Sequence, residues 1–349
     1  MGQKPRSRRI RLSNSDQVSR SGRIGFAMSM ALILLAGSAH ADKYAAEFLR
    51  IGVGARALGM GGAFTAVADD GSASYWNPAG LAMIDRPELL FMHAEQFGDL
   101  ASHDFFGYVQ PLSMVGSGSE GAVGLSAIRF GVDEIIFTRD AFNDRNNNGK
   151  PDPGEVDPAL FRKESDTEWG VFFTYARPIG GWGSVGGNLK VVRQALLRNT
   201  SFGMGVDLGL MVAARRDITF GVRFADITTT QISWDTGTRE VVNPTVNLGA
   251  RWTRMMPSLR GQLTAAADVG MSFEGRVEAS QFGSGVLGGD FQGGLEYWFS
   301  RAVAARVGTT SGEWTAGGGI RFRGLGADYA FLPHDDLGDT HRLSASVRF

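Results

Sequence analysis

The residues with the most specific chemistry lie between positions 144 and 155. There Asp144-Arg-Asn146-Asn-Asn148-Gly149-Lys150-Pro-Asp152-Pro-Gly-Glu155 satisfies every fixed position of the D-x-[DN]-x-[DN]-G-x5-E calcium loop. Oxygen ligands would come from Asp144, Asn146, Asn148, the Lys150 carbonyl, Asp152 through water and bidentate Glu155, with Gly149 allowing the sharp turn. The flanks depart from an EF-hand, because Phe137 to Asn143 is not a helical pattern and Pro158 follows closely. The expectation is an isolated Ca²⁺ loop; the alternative is an Asn/Gly/Pro-rich turn without an ion.

Other reactive side chains are sparse. Beyond residue 41 the histidines are His93, His103, His334 and His341. His334 beside Asp335 and Asp336 could act as a base with an orienting carboxylate. No serine stands in a strained elbow to be activated, and Ser344 falls in a regular alternating stretch. His93 and His103 flank one predicted loop and are candidates for a metal pair or for exposed polar tips. These residues point away from an enzyme. The absence of cysteine excludes disulfides, thiolate metal sites and a lipidated N-terminal cysteine.

These residues need a frame, and the N-terminus says where it is built. Residues 1–41 hold seven basic residues and one acid, followed by an apolar run over 24–39 and the small-x-small pair Ala39-x-Ala41. That is a secretory signal peptide, with a mature chain predicted to start at Asp42. Of 35 Lys+Arg and 36 Asp+Glu in the whole chain, 28 and 35 remain, a net charge of −7 that argues against nucleic acid. No segment beyond residue 41 supplies the ~18 apolar residues of a spanning helix.

From residue 87 to 349 the pattern has period two. Met204, Val206, Leu208, Leu210 and Val212 alternate with Gly203, Gly205, Asp207 and Gly209; Leu343, Ala345, Val347 and Phe349 alternate with Arg342, Ser344, Ser346 and Arg348. A soluble sandwich alternates in this way with its apolar face inward, and a membrane barrel with its apolar face outward. Segment count and loop parity decide between them. About fourteen segments are legible, an even number. Connections after even segments are mostly tight, as at Ala214-Arg215, Ser300 and Gly324, whereas long ones (132–165, 227–242, 273–288) all follow odd segments. Short turns at one end, long loops at the other and a terminal aromatic, Phe349, predict a transmembrane antiparallel β-barrel of about 14 strands, all-β, in the bacterial outer membrane with both termini periplasmic.

Residues 42–86 do not alternate. The run GVGARALGMGGAFTAVADDGSASYWNPAGLA, from Gly52 to Ala82, is glycine-rich but lacks the Gly-Lys-Ser/Thr of a phosphate loop. Its small residues suit a segment packed against the wall of a narrow lumen. This run resembles the N-terminal signature of the PorV/PorQ family of FadL-like outer-membrane proteins. The stretches Tyr329-Ala-Phe-Leu-Pro333 and Leu337-Gly-Asp-Thr-His-Arg342 resemble that family's last hairpin. The resemblance implies a fourteen-strand barrel plugged by an N-terminal hatch, here residues 42–86. Asn77, Pro78 and Ala79 would lie in the hatch, and Arg56, Asp69 and Asp70 would be polar anchors to the wall. Lumen-facing Arg223, Arg251, Arg306 and Arg321 would stand against Asp207, Asp268, Glu296 and Asp328 as partners.

Two functions remain open. A PorV-like barrel would dock secreted proteins or a secretion-system partner for surface attachment. A FadL-like channel would carry a hydrophobic small molecule. The inward face reads as Gly, Ser, Thr and charge, whereas Ile135, Ile136, Phe137, Leu160, Phe161, Ile232 and Trp234 lie in long loops as a candidate protein-contact surface. Docking is therefore the first expectation, the channel the alternative, and outer-membrane lipid the surrounding partner in either case.

Overall fold

The structure is a computed structural model that describes residues 45–98, 100–114, 120–273, 280–333 and 338–349. The signal segment 1–41 and the His334-Asp335-Asp336 group lie outside the described residues.

The alternating segments form strands of one sheet: β1 (Glu88–Gln96), β2 (Ala101–Pro111), β3 (Ala122–Phe137), β4 (Arg162–Ile179), β5 (Gly183–Leu196), β6 (Asn199–Ala213), β7 (Ile218–Ala225), β8 (Thr230–Trp234), β9 (Arg239–Val242), β10 (Thr245–Met256), β11 (Gly261–Ser272), β12 (Phe282–Ser284), β13 (Leu287–Phe299), β14 (Val303–Thr310), β15 (Glu313–Phe322), β16 (Leu325–Leu332) and β17 (Thr340–Arg348). Fourteen of them make the wall, each antiparallel to its neighbours. The circuit closes where β1 pairs β17 from Glu88↔Arg348 to Glu95↔His341, and the Phe349 amide donates to the Pro87 carbonyl at 3.0 Å. The remaining three are loop strands: β8 and β9 form a hairpin that continues the edge of β6, and β12 pairs with β13. Closure removes every free edge from the membrane zone, which lipid requires because it offers backbone groups no partner.

Side-chain direction follows the period-two pattern. On β6, Phe202, Met204 and Leu208 are exposed while Ser201, Gly203, Gly205, Asp207 and Gly209 are buried. Apolar residues on the outside and polar ones within is the membrane-barrel phase rather than the sandwich phase. The outward run from Phe202 to Val212 spans ten steps, roughly 25 Å of membrane normal at ~3.3 Å per residue and a tilt of ~40°. Aromatic residues mark both edges of that band. Trp182, Phe299, Phe322 and Phe349 stand near the end that holds the C-terminus, and Trp314, Tyr329 and Phe331 with His341 stand near the other. The turns at the terminus end are short, whereas β3 and β4 run on past the band to Phe137 and Arg162, where they carry the 138–161 loop.

The described N-terminal segment, 45–86, lies inside the wall. It folds as short helical turns at Glu47–Arg50, Ala55–Leu58, Ala73–Trp76 and Pro78–Met83, and nearly all of it is buried. Wall glycines permit its approach. A Cβ on Gly308 would stand 2.2 Å from the Gly61 nitrogen, and one on Gly209 would stand 2.1 Å from the Asn77 side-chain oxygen. Either contact is far inside van der Waals distance, so any larger residue would push segment and wall apart.

Candidate functional site

Two features meet in the lumen: an ionic latch that ties the segment to the wall, and a cavity above it. The latch centres on Arg56, in the turn Ala55–Leu58. Its Nε and Nη2 donate to the two Glu296 carboxylate oxygens, each at 2.9 Å, and its Nη1 reaches Asp69 at 2.5 Å and Asp70 at 3.0 Å. Glu296, on β13, also accepts from Arg306 Nε of β14 at 2.7 Å, and Arg306 lies 2.8 Å from Asp328 of β16. This bidentate Arg–carboxylate pair is buried, so its geometry counts for more than a surface pair would. Burial pushes the Asp70 carboxyl up, but Arg56 and the Ser72 hydroxyl and amide outweigh it and hold Asp70 below the ordinary carboxylate range.

The other predicted residues fall as follows. Asp69 also faces Arg251 of β10 at 3.7 Å, so it touches the wall. Asp70 reaches the wall indirectly: its hydrogen-bond partners are Arg56 and Ser72, both in the segment itself, and Arg56 carries the link on to Glu296. Asp268 takes no arginine but accepts the Phe64 and Thr65 amides at 2.9 and 2.7 Å. Arg251 donates to Thr219 Oγ1 at 2.9 Å. Arg321 makes no ion pair among the described residues and lies 4.7 Å over the Trp298 ring. Asn77 donates to the Thr65 and Leu210 carbonyls and accepts from the Ala79 amide. Pro78 packs beside Gly186, and the Ala79 carbonyl accepts from Ser184 Oγ at 2.9 Å.

Sequence reasoning missed Lys190. This residue of β5 is 2% exposed and bridges Asp207 at 3.2 Å and Asp226 at 2.5 Å, while Arg223 stays 3.9 Å from Asp207. Its signal was available, since Lys190 shares inward parity with Asn188. His93 and His103, candidates for a metal pair, lie on paired strands but face opposite sides of the wall. His93 points outward to Asp104 (2.7 Å) and Glu95 (3.1 Å), whereas His103 is fully buried with Arg342 at 3.0 Å.

In the half of the lumen nearer the long loops lies a cavity of about 360 Å³. Its lining mixes apolar residues, Leu49, Ile51, Leu58, Tyr75 and Trp76 of the segment and Phe172, Val242, Met271 and Leu332 of the wall and loops, with Arg50, Lys190, Arg223, Asp226, Asn247, Asp290 and Gln292. Tyr75 and Trp76 are fixed edge to face at 5.0 Å, with the Tyr75 hydroxyl on the Leu49 carbonyl and the Trp76 indole N–H on the Val53 carbonyl. The two kinds of residue interleave: Lys190 stands beside Phe172 across the strand pair, and the Arg223 guanidinium lies 5.3 Å over the Tyr75 ring. A cavity of ~150 Å³ holds benzene, so this one has room for a substituted ring or a short hydrocarbon.

This corrects the expectation of a largely polar inward face. Leu90, Met92, Phe105, Ile128, Phe172 and Val192 of β1 to β5 turn inward and pack with Phe48 and Tyr75. The loop surface is corrected as well: Ile232 is fully buried and Trp234 packs against the same core, leaving Ile136, Leu160 and Phe161 as the exposed apolar residues of those loops.

In the 144–155 loop, a Phe142↔Val156 bridge closes the base and Gly149 takes φ +70°. Asp144 accepts the Asn148 and Gly149 amides at 3.1 and 2.8 Å, Asn146 and Asn148 both donate to Asp152 at 2.7 Å, and Glu155 accepts from Arg145 N and Asp152 N. Those two carboxamides hold the Asp152 carboxyl below its ordinary range. Among the described residues no three His, Asp or Glu side chains already converge as a metal cluster.

The comparisons with known proteins agree with this architecture. A model of the uncharacterised protein family UPF0164 matches residues 20–131, and no curated protein matches the sequence. Among solved structures, the Ralstonia pickettii toluene transporter TbuX superposes with a TM-score of 0.57 at 15% identity, covering 85% of this chain and 98% of that one. The Pseudomonas putida toluene transporter TodX gives 0.57 at 12% identity over 85% and 99%, and a Pseudomonas aeruginosa FadL homologue gives 0.51 at 13% over 85% and 98%. The chain has the closed fourteen-strand, FadL-like fold of these outer-membrane barrels.

Proposed function

We propose that this protein is an outer-membrane channel that admits a hydrophobic small molecule into the cavity between the lumenal segment and the wall. The observation that carries this reading is the 360 Å³ cavity, whose apolar lining residues, Tyr75, Phe172, Leu58 and Val242 among them, belong to an apolar lumenal core. A barrel serving only as a docking platform has no need of apolar residues turned inward on five adjacent strands. The solved relatives with this fold include two toluene transporters, which favours the same class of cargo, an uncharged aromatic or short aliphatic molecule. In this reading residues 1–41 are removed, 42–86 form the hatch, the termini face the periplasm and the 138–161 loop faces outside. Uptake of radiolabelled toluene by a porin-deficient Gram-negative host expressing the protein tests it. Uptake should rise above the empty-vector rate and fall when Leu332→Trp fills the cavity; equal rates would refute it.

A PorV-like docking role rests on a narrower observation, the exposed Ile136, Leu160 and Phe161 of the long loop. Co-purification of secreted proteins sharing one C-terminal domain would establish it.

The 144–155 loop is read as a calcium site. Asp144, Asn146, Asn148, the Lys150 carbonyl, Asp152 and Glu155 would hold the ion once the two Asn side chains present oxygen rather than nitrogen. An extracellular loop needs only a Kd of ~10⁻⁴–10⁻³ M. Calorimetric titration with Ca²⁺ should show one site that Glu155→Gln weakens at least tenfold; no heat at millimolar ion would refute it.

A further inference from the structure

At the terminus end, on the opposite side of the segment from the cavity already described, a second cavity of about 260 Å³ is lined by Arg301, Arg321, Arg323 and Arg348 with Phe322 and Leu325. Four guanidinium groups share it, and carboxylates are scarce. Glu88 accepts one bond from Arg348 Nε at 3.0 Å. Of the other acids near Arg321, Asp328 stands 2.8 Å from Arg306 and Asp70 is bonded to Arg56. Arg301, Arg321 and Arg323 make no ion pair among the described residues, and Arg321 Nε is buried without a hydrogen-bond partner. Arg321 is held over the Trp298 ring at 4.7 Å, and Arg323 lies over the Phe322 ring at 5.1 Å. Arg301 and Arg323 are exposed and Arg348 is paired with Glu88, so the cost falls on Arg321, half-buried without an ion pair beside them, and an anion joining it would relieve that cost.

The barrel's rim at this end, away from the cavity as well as beside it, carries the same sign. The described turns at this end hold Arg215, Arg216, Arg260, Arg301 and Arg323 against Glu120 and Asp217. Phe322 and Leu325 give the second half of the site. Both point to the lipid side of the wall, 68% and 58% exposed, yet both line the cavity. A free anion would use the arginines alone; a lipid would use both halves, with its chains along Phe322 and Leu325 and its phosphate turned over the 323–324 rim.

We propose that Arg301, Arg321, Arg323 and Arg348 bind the phosphate of an anionic phospholipid at the terminus end of the barrel, with Phe322 and Leu325 seating its acyl chains. Guanidinium groups match phosphate oxygens in pairs, and anionic headgroups gather where basic residues meet the membrane surface. The site would fix the barrel's depth in the leaflet and neutralise the repulsion among its arginines. The proposal rests on the membrane-barrel reading but not on the identity of the cavity ligand.

Native mass spectrometry of the detergent-purified mature barrel, titrated with phosphatidylglycerol, phosphatidylcholine of the same chains, or inorganic phosphate, tests it. Phosphatidylglycerol should bind at least tenfold more tightly than phosphatidylcholine, and millimolar phosphate should not displace it. The double variant R301E/R323E should lose at least tenfold in that binding, whereas R215E/R216E, an equal charge change on another turn, should lose less than twofold. Equal binding of the two lipids, equal losses in the two variants, or displacement by phosphate would each overturn the proposal. Heat-modified gel migration verifies folding; should R301E/R323E fail to fold, R301Q/R323Q must show the same ranking. Toluene binding should be unchanged in R301E/R323E, which separates failure of this site from failure of the channel reading.

Discussion

Replacing Arg56 with Met removes the centre of the latch while keeping a side chain of similar length. Glu296, Asp69 and Asp70 would lose their shared partner. Breaking a buried charge pair by removing one member costs about 3–5 kcal/mol. Two features pull the estimate to the low end: Glu296 keeps Arg306, and Asp70 keeps two bonds from Ser72. The expected cost is therefore about 3 kcal/mol, which at ~1.4 kcal/mol per factor of ten raises the population with the segment released roughly a hundredfold. The wall should survive, because its strand pairing does not involve Arg56. Hydrogen exchange by mass spectrometry on the folded barrel reads this directly. Amides of 55–84 should exchange about a hundred times faster while those of the wall strands stay protected. A change below threefold in that segment, with the barrel intact, would refute the latch. Loss of wall protection as well would refute the view that segment and wall are separately stable.

Three further outcomes follow from the same geometry. Gly308→Val sets a side chain against the Met60–Gly61 backbone and should destabilise the segment by about 1–3 kcal/mol, read as faster exchange of residues 57–64, whereas Gly181→Ala, on an open turn with ordinary φ, should leave it unchanged. Asp70 is held below its ordinary value near 3.8, so the stability it contributes is present above that value and lost as pH falls through its lower folded value; segment exchange corrected for intrinsic rates should rise below pH 3.8, and this acid limb should vanish in Asp70→Asn. Leu332→Trp sets a larger side chain in the cavity lining and should weaken toluene binding at least tenfold in a calorimetric titration without changing gel migration.

The wall was legible because period two fixes which face each residue takes. The phase of Met204 to Val212 against Asp207 needed no tertiary knowledge, and loop parity supplied the rest. The long extension of β3 and β4 was not legible, because Asp133-Glu134 breaks the alternation where the register shifts between Val132 and Ile135, and residues 162–165 are wholly polar. The apolar lumen was missed for a related reason. On β1 to β5 neighbouring positions are both apolar, as at Leu89-Leu90, Phe105-Phe106, Phe172-Phe173 and Val191-Val192, and a strand apolar on both faces loses the alternation that marks the inward one. Lys190 escaped for the opposite reason, as a single charge among such residues. Ile232 and Trp234 sit between strand-length segments and read as loop, but the β8–β9 hairpin folds them back onto the core. Of the latch, Arg56 and Asp69 were expected through the family resemblance and Glu296 through the lumen-facing alternation; that Arg56 joins Glu296 is a distance of 240 residues in sequence, which no local pattern encodes.

The central claim is that a hydrophobic small molecule occupies the cavity between segment and wall. Its most direct test is a crystal of the mature protein soaked in bromobenzene and measured at the bromine absorption edge. The account predicts one strong anomalous peak inside the lumen, within van der Waals contact of Phe172, Tyr75 and Leu332, and its loss in Leu332→Trp crystals. Bromine peaks confined to the outer, lipid-facing wall, with the cavity holding only water, would contradict it.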